Sequence, residues 1–245
     1  MIRPDILYED AELIVVKKPA GVDAQESRGS APDMVSILKN HLLSTQISTP
    51  AGEKGNSPYI AVIHRLDRQV GGVMVYAKTR EAAAHLSKQV QDERMEKTYL
   101  AVLCGQTVEK DGTYVDYLWK DGKNNLSAVV DDTVVGARLA TLSWEAVERI
   151  ADPEDPYGGY TLVRVFLQTG RHHQIRVQFA SRGLPLEGDV KYNPAWQGRR
   201  SEGPALFAEK LSFIHPGTGR RMTFRARPDH SAFRRFHLPD EPGEN

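Results

Sequence analysis

Apolar positions along the chain fall mostly into short runs broken by Pro, Gly, Asn and Asp, a pattern of strands rather than long helices. Glu12 to Val16 (ELIVV), Tyr59 to Ile63 (YIAVI), Gly72 to Ala77 (GVMVYA), Thr98 to Cys104 (TYLAVLC) and Tyr160 to Leu167 (YTLVRVFL) read as strands. The second and third of these are rich in β-branched residues and read as largely buried. Further strands, such as Ala137 to Val147, lie between Gly112 and Ile150, and turn signals at Asp121-Gly122 and Asn124-Asn125 join them into antiparallel hairpins. Three stretches carry helical spacing. Pro32 to Leu43 aligns Met34, Ile37, Leu38 and Leu42, with Ser30 as a cap and Pro32 in the first turn. Thr79 opens a second helix, with Ala82, Leu86 and Val90 four apart, Glu81 in its first turn and Lys97 near its end. A third places Ile175 and Phe179 one turn apart and stops at Gly183. The Ser/Thr/Pro/Gly-rich segment 44–57 reads as an exposed loop and 237–245 as a flexible tail. The sum is an α+β fold: a mixed, mainly antiparallel sheet with flanking helices.

Composition narrows the function classes. At 245 residues the chain can bury a substantial core, and its net charge of zero argues against a histone-like or tail-driven nucleic-acid binder. A single cysteine, Cys104, rules out an internal disulfide framework and reads as a packed thiol. With no signal-peptide run and no stretch of membrane-spanning length, a soluble cytoplasmic protein is expected.

The densest chemistry lies in Ile63 to Lys78, IHRLDRQVGGVMVYAK. Its polar segment, His64 to Gln69, is pinned between two apolar runs, and loops held by rigid elements commonly carry catalytic side chains. Arg65 and Arg68 flank Asp67 and favour its ionised form, able to act as nucleophile, base or electrostatic stabiliser. Taken alone, HRLD is more readily read as a structural aspartate that salt-bridges a neighbour and caps a turn. Lys17-Lys18-Pro19-Ala20-Gly21 follows a strand, marks a tight turn and puts positive charge at its mouth. From Arg164 to Leu186 there is no acidic residue, while four arginines and two histidines are present. Such a segment, Arg171 included, suits a phosphate-bearing ligand. His64, His172 and His173 lack the companions of a zinc site, and no G-x-S-x-G turn, P-loop or G-x-G-x-x-G fingerprint occurs.

Several segments together resemble the RluA-type RNA pseudouridine synthases. KKPAGVD (Lys17 to Asp23) looks like their first motif, HRLDRQVGG (His64 to Gly72) like the catalytic motif, and TGRHHQIR (Thr169 to Arg176) like the third. LEGDVKY (Leu186 to Tyr192) and LFAEKLSFIHPGTG (Leu206 to Gly219) also match family patterns, in the right order. The resemblance covers Leu13 to about Phe224. With Leu13 already at the first motif, it leaves no room for the small N-terminal RNA-binding domain that some relatives carry.

The resemblance implies a cofactor-free isomerase acting on ribosomal or transfer RNA, one catalytic domain over 1–245 with an active-site cleft across the sheet; the residues themselves give no sign of a metal or a membrane, and a monomer is the default expectation. Asp67 attacks or deprotonates the uridine at the glycosidic site, the base detaches, rotates, and rejoins the sugar through carbon 5. Tyr99 matches the tyrosine that stacks on the base, and Arg176 the arginine that pairs with the aspartate. Arg65 looks like the residue that holds the base out of its stack, and Leu206 like an apolar pocket wall; His64, Arg171 and Lys18 complete the substrate-binding set. Two departures stand out: Val70-Gly71-Gly72 replaces the usual Thr-Ser-Gly, and Phe207 replaces a histidine. The alternatives are a catalytically silent RNA-binding relative or RNA chaperone, and a carboxylate-based glycoside hydrolase, which lacks a second carboxylate partner for Asp67.

Overall fold

A computed structural model describes residues 2–26, 29, 31–45 and 57–238. Ser30, most of the loop expected at 44–57 and nearly all of the expected tail lie outside them. In chain order the elements are β1 (Asp5–Glu9), β2 (Leu13–Lys18), α1 (Met34–Thr45), β3 (Ala61–Val62), β4 (Gly71–Ala77), α2 (Arg80–Gln91) and β5 (Glu96–Cys104). There follow β6 (Asp111–Asp121), β7 (Leu126–Val130), β8 (Arg138–Ala151), β9 (Gly159–Leu167), α3 (Gln174–Ala180), β10 (Leu206–Ile214) and β11 (Arg221–Arg225). The fold is α+β, and its sheet is mixed, with most described pairings antiparallel and β4 parallel to β10. No helix among the described residues is long and apolar enough to cross a membrane. The chain divides into two compact units, one of residues 1–99, 166–169 and 207–227, the other of 100–165, 170–206 and 228–245.

In the first unit the strand order is β1-β2-β4-β10, with β11 on β10 and β3 on β4. Every residue of β4 is buried, as is most of β2, the continuous apolar signature of strands covered on both faces. Asp33 caps α1, accepting from the Ser36 amide at 2.8 Å. Thr79 caps α2 as its sequence suggests, accepting from the Ala82 amide at 3.1 Å. That helix stops sooner than expected: Glu93 takes a left-handed φ of 55°, and Lys97 belongs to β5. The buried strand expected at 59–63 is only the two-residue, half-buried β3. In its register with Tyr76 and Ala77 a longer strand would need Val75, whose amide donates instead to His64 Nε2 at 3.3 Å, and positions beyond Ala77, where β4 has ended. β1 carries no strand signal beyond DILYE and follows from pairing with β2, across a bulge between Ile6 and Tyr8.

In the second unit the order is β5-β9-β8-β6-β7. β6 alternates exposed and less exposed positions, the signature of a sheet with one face on the core. α3 lies on that face, where Leu118, Ala140 and Val177 form a cluster, Phe179 meets Tyr114 and Trp144 edge-on, and Arg182 stacks 3.9 Å over Tyr114. Cys104 is a packed thiol: burial pushes it up to about 12, and Asn193 Nδ2 donates to its sulfur at 3.4 Å.

Candidate active site

In the first unit the segment between β3 and β4 presents Asp67, half-buried, in a turn closed by the Val70 amide on the Asp67 carbonyl at 2.9 Å. A second loop, the turn after β2, clasps it. The Gly21 amide donates to the Arg68 carbonyl at 2.8 Å, and Arg68 Nε returns a bond to the Gly21 carbonyl at 3.0 Å. Lys18 locks the pair. Its side chain is fully buried, and its ammonium donates to the carbonyls of Pro19 (2.9 Å), Val22 (2.7 Å) and Arg68 (3.2 Å). Burial lowers Lys18 to about 8, against the opposing pull of the Asp23 and Asp67 carboxylates. The charge expected at the mouth of this turn is therefore inside it for Lys18, while Lys17 lies 5.8 Å over the Phe207 ring. A buried ammonium must find acceptors, and the cheapest here are the carbonyls that the tight turn leaves unpaired.

Tyr99 is buried in β5, and its phenol is raised above the usual value, first by burial and then by the Asp67 carboxylate. A charge effect of that kind requires the two side chains to be near each other. His64 accepts the Val75 amide on Nε2 at 3.3 Å, while its Nδ1 is buried without a partner among the described residues. Burial, and then the Lys97 charge, lower it to about 3, so the ring is neutral throughout the physiological range. Arg65 is exposed, with one terminal nitrogen 3.2 Å from Gln25 Oε1. Asp67, Tyr99, Lys18, His64 and Arg65 thus belong to one unit.

The two departures from the family pattern meet in space. Phe207 and Gly71 are register partners in the parallel pair β10·β4, and a Cβ on Gly71 would lie 3.4 Å from Phe207 Cε2 and 3.2 Å from the Lys18 carbonyl. The aromatic ring takes space that a side chain at 71 would need. Gly72 is stricter: at φ 134° a Cβ would fall 2.4 Å from the Ala208 carbonyl oxygen. Gly71→Ser is expected to cost about 1–3 kcal/mol through overpacking, and Phe207→His to recover part of it. Denaturation midpoints of both single variants and the double variant measure this; strictly additive losses would mean the positions do not compete for space.

The second unit holds Arg171, Arg176 and Leu206. Leu206 is buried at the start of β10. Arg176, in α3, grips Asp189 through Nε (2.7 Å to Oδ2) and a terminal nitrogen (2.8 Å to Oδ1), with both side chains buried. Asp189 also accepts the amides of Lys191 (3.0 Å) and Tyr192 (3.2 Å), and the Tyr192 ring lies 5.1 Å under the Arg176 guanidinium. The Tyr192 hydroxyl accepts the Ser127 amide and lies 2.7 Å from His173 Nδ1. Asp189 and Tyr192 have no role in the sequence reading; the one signal was that LEGDVKY brings the first carboxylates after the acid-free stretch.

That stretch is not acid-free in space. Arg164 bonds Glu145 of β8 at 2.9 Å, Arg182 bonds Asp116 of β6 at 3.0 Å, and Arg176 holds Asp189. Three of its four arginines are thereby paired with carboxylates from other segments, and only Arg171 is exposed without one among the described residues. Its Nε donates to the Leu139 carbonyl at 2.8 Å. No group of three His, Cys, Asp or Glu side chains among the described residues is placed to hold a metal ion.

An α+β fold presenting a clasped carboxylate beside a buried tyrosine defines an enzyme-like site, and comparison with known proteins says of which class. The model of the RNA pseudouridylate synthase family matches residues 12–181. The chain belongs to that family, in its RluA-type branch. Ribosomal large subunit pseudouridine synthase D of Neisseria meningitidis serogroup A is 34% identical over 232 residues, covering 91% of this chain and 57% of that protein. RNA pseudouridine synthase 1 of Oryza sativa subsp. japonica is 29% identical over 260 residues, covering 90% and 71%. This chain therefore spans between 57% and 71% of the length of these relatives. The solved structure of Human RNA Pseudouridylate Synthase Domain Containing 1 shares the fold, with a TM-score of 0.71 at 19% identity over 92% of this chain and 84% of that one.

Proposed function

We propose that this chain converts uridine to pseudouridine within a folded ribosomal or transfer RNA, with Asp67 as its catalytic carboxylate. The name of the Neisseria relative favours ribosomal RNA. The observation that carries the reading is the nearness of Asp67 to the buried Tyr99, on a loop held from behind by Lys18 and Gly21. Asp67 attacks or deprotonates the uridine at the glycosidic site, so that the bond from the sugar to ring nitrogen 1 breaks. The freed base turns, the sugar bonds to carbon 5, and the carbon-5 proton leaves as nitrogen 1 gains one. Both ring positions must reach the same sugar carbon, so the nucleotide has to leave its stack, the work assigned to Arg65 with Leu206 as an apolar wall. Arg176 is the counter-charge of Asp67 in this reading. A guanidinium has five N–H donors, enough to serve a second carboxylate while Asp189 fixes its orientation. His64, Arg171 and Lys18 support substrate binding, Lys18 by shaping the loop. A cytoplasmic monomer without a cofactor accompanies the proposal.

Forming the carbon–carbon bond expels the hydrogen at carbon 5. Incubation with RNA carrying tritium at carbon 5 of uridine is thus expected to release tritium into water, and RNA that keeps its label in every fraction tested would remove the isomerase reading.

Tyr99 bears on how that proton leaves. Burial and the Asp67 charge keep the phenol protonated, so it can take the carbon-5 proton only while passing its own proton on. Tyr99→Phe is expected to bind RNA normally and to lose about two powers of ten in turnover. Single-turnover rates alongside dissociation constants measure this, and turnover at the parent rate would reduce Tyr99 to a stacking surface.

A further inference from the structure

The hairpins of the second unit have two unlike faces. Even-numbered positions of β6 and β8, among them Leu118, Ala140 and Trp144, are buried on the side that carries α3. Odd-numbered positions bring Val115, Tyr117 and Trp119 of β6 onto the opposite face, with Leu139 of β8 directly across from Tyr117. These four are 59%, 36%, 39% and 43% exposed. Lone exposed apolar residues need no explanation, but adjacent ones on a rigid sheet do.

Size and chemistry restrict the occupant. From Val115 to Trp119 is about 13 Å along the strand, and the three strands together are about 10 Å across. The resulting area, on the order of 150 Å², falls far short of the roughly 800 Å² that each partner contributes to a stable protein interface. It is enough for two nucleobases. Tyr117 and Trp119 stand about 7 Å apart, one ring for each base, and paired aromatics on a sheet face are how single-stranded RNA is commonly held. The cross-strand neighbours of these rings, Ala128, Val130, Leu139 and Thr141 of the adjacent register positions, include no carboxylate. Acidic residues stand only at the margins: Asp111 and Asp121 at the ends of β6, Asp131 and Asp132 in the loop after β7, and Glu145, which is held by Arg164. At the β8 side lies Arg171. Its Nε is fixed to the carbonyl of Leu139, and its terminal nitrogens have no partner among the described residues. A guanidinium anchored at its root and open at its tip fits a phosphate.

We propose that this face is a stacking platform for a single-stranded stretch of RNA, with two consecutive bases on Tyr117 and Trp119 and a neighbouring phosphate on Arg171. It rests on RNA being the partner, as the family membership states, and not on the roles given to Asp67, Tyr99 or Arg176.

The test uses the full chain and eight-residue oligouridylate and oligoadenylate, followed by tryptophan fluorescence. Of the three tryptophans, Trp144 is buried and Trp196 is less exposed than Trp119, so stacking on Trp119 is expected to dominate the quench, and Trp119→Phe separates it from any response of Trp196. Trp119→Phe should lose most of the signal yet bind within about twofold of the parent in a fluorescence-independent assay. Tyr117→Ala with Trp119→Ala should weaken binding about twentyfold or more, and Arg171→Gln should flatten the salt dependence by roughly one phosphate. Parent affinity in the double-alanine variant, with its melting curve unchanged, would overturn the platform. So would a parent protein that dimerises in sedimentation through these residues while its oligonucleotide affinity is indifferent to them, since the face would then belong to a second copy. The two readings fail separately: quench without tritium release sinks only the isomerase, and tritium release without quench sinks only the platform.

Discussion

Replacing Asp67 by asparagine is expected to abolish pseudouridine formation, by about four powers of ten or more, while RNA affinity and melting temperature remain close to those of the parent. Asparagine keeps the size of the side chain and the backbone turn that closes on Val70, so the loop clasped by Lys18 and Arg68 has no reason to open. What it lacks is the negative charge and the electron pair for attack or proton removal. Residues that act as one chemical unit lose most of the rate when any one is removed, which sets the size of the effect. Tritium release measures the rate, filter binding the affinity. Measurable turnover near the parent level would transfer the chemistry to another group. Loss of both binding and turnover would mean that Asp67 serves the fold. A parent protein that itself binds RNA without turnover would be the catalytically silent relative.

Asp189→Ala is expected to be the most destabilising of these variants, by about 3–5 kcal/mol, because it removes the buried carboxylate that grips the Arg176 guanidinium through two hydrogen bonds. It also removes the acceptor that orders the Lys191 and Tyr192 amides, and with them the ring that lies under Arg176. In a chain of this length such a loss corresponds to a fall in melting temperature on the order of 10 °C. Asp189→Asn keeps the shape and one acceptor and should lose less stability. If Arg176 serves Asp67, that milder variant should also turn over more slowly at saturating RNA with its affinity little changed. A melting temperature within 2 °C of the parent for Asp189→Ala would show that Arg176 has another adequate partner.

Much of the fold is legible in the sequence because its signals are local. The continuous apolar run of β4, the Thr79 cap and the left-handed Gly183 each depend on a few neighbouring residues, and each stands where the sequence places it. Motif order also singles out Asp67, Tyr99 and Lys18, but does not say where the Lys18 charge lies. Its burial depends on three carbonyls supplied by two loops fifty residues apart in the chain. β3 was overestimated for a similar reason. The residues of 59–63 suit a strand, but in the register of β3 they would face 75–79, where the Val75 amide is taken by the His64 ring and β4 ends at Ala77.

By itself, then, the sequence determined the strand-rich α+β class, the hairpins and the family, and it singles out Asp67 as the proposed catalytic carboxylate, since periodicity, turn chemistry and motif order are properties of neighbouring residues. Tertiary structure alone decided which charges remain available. The stretch from Arg164 to Leu186 contains no carboxylate, yet Glu145, Asp116 and Asp189 reach three of its arginines from other segments and leave Arg171 exposed, with its Nε on the Leu139 carbonyl. Tertiary structure likewise made one event of two departures, by setting Phe207 against the space above Gly71. The physical reason is the same in each case: a buried charge or a close-packed ring answers to whatever lies within a few ångströms, and in a sheet assembled from distant strands those neighbours are chosen by pairing, not by position along the chain.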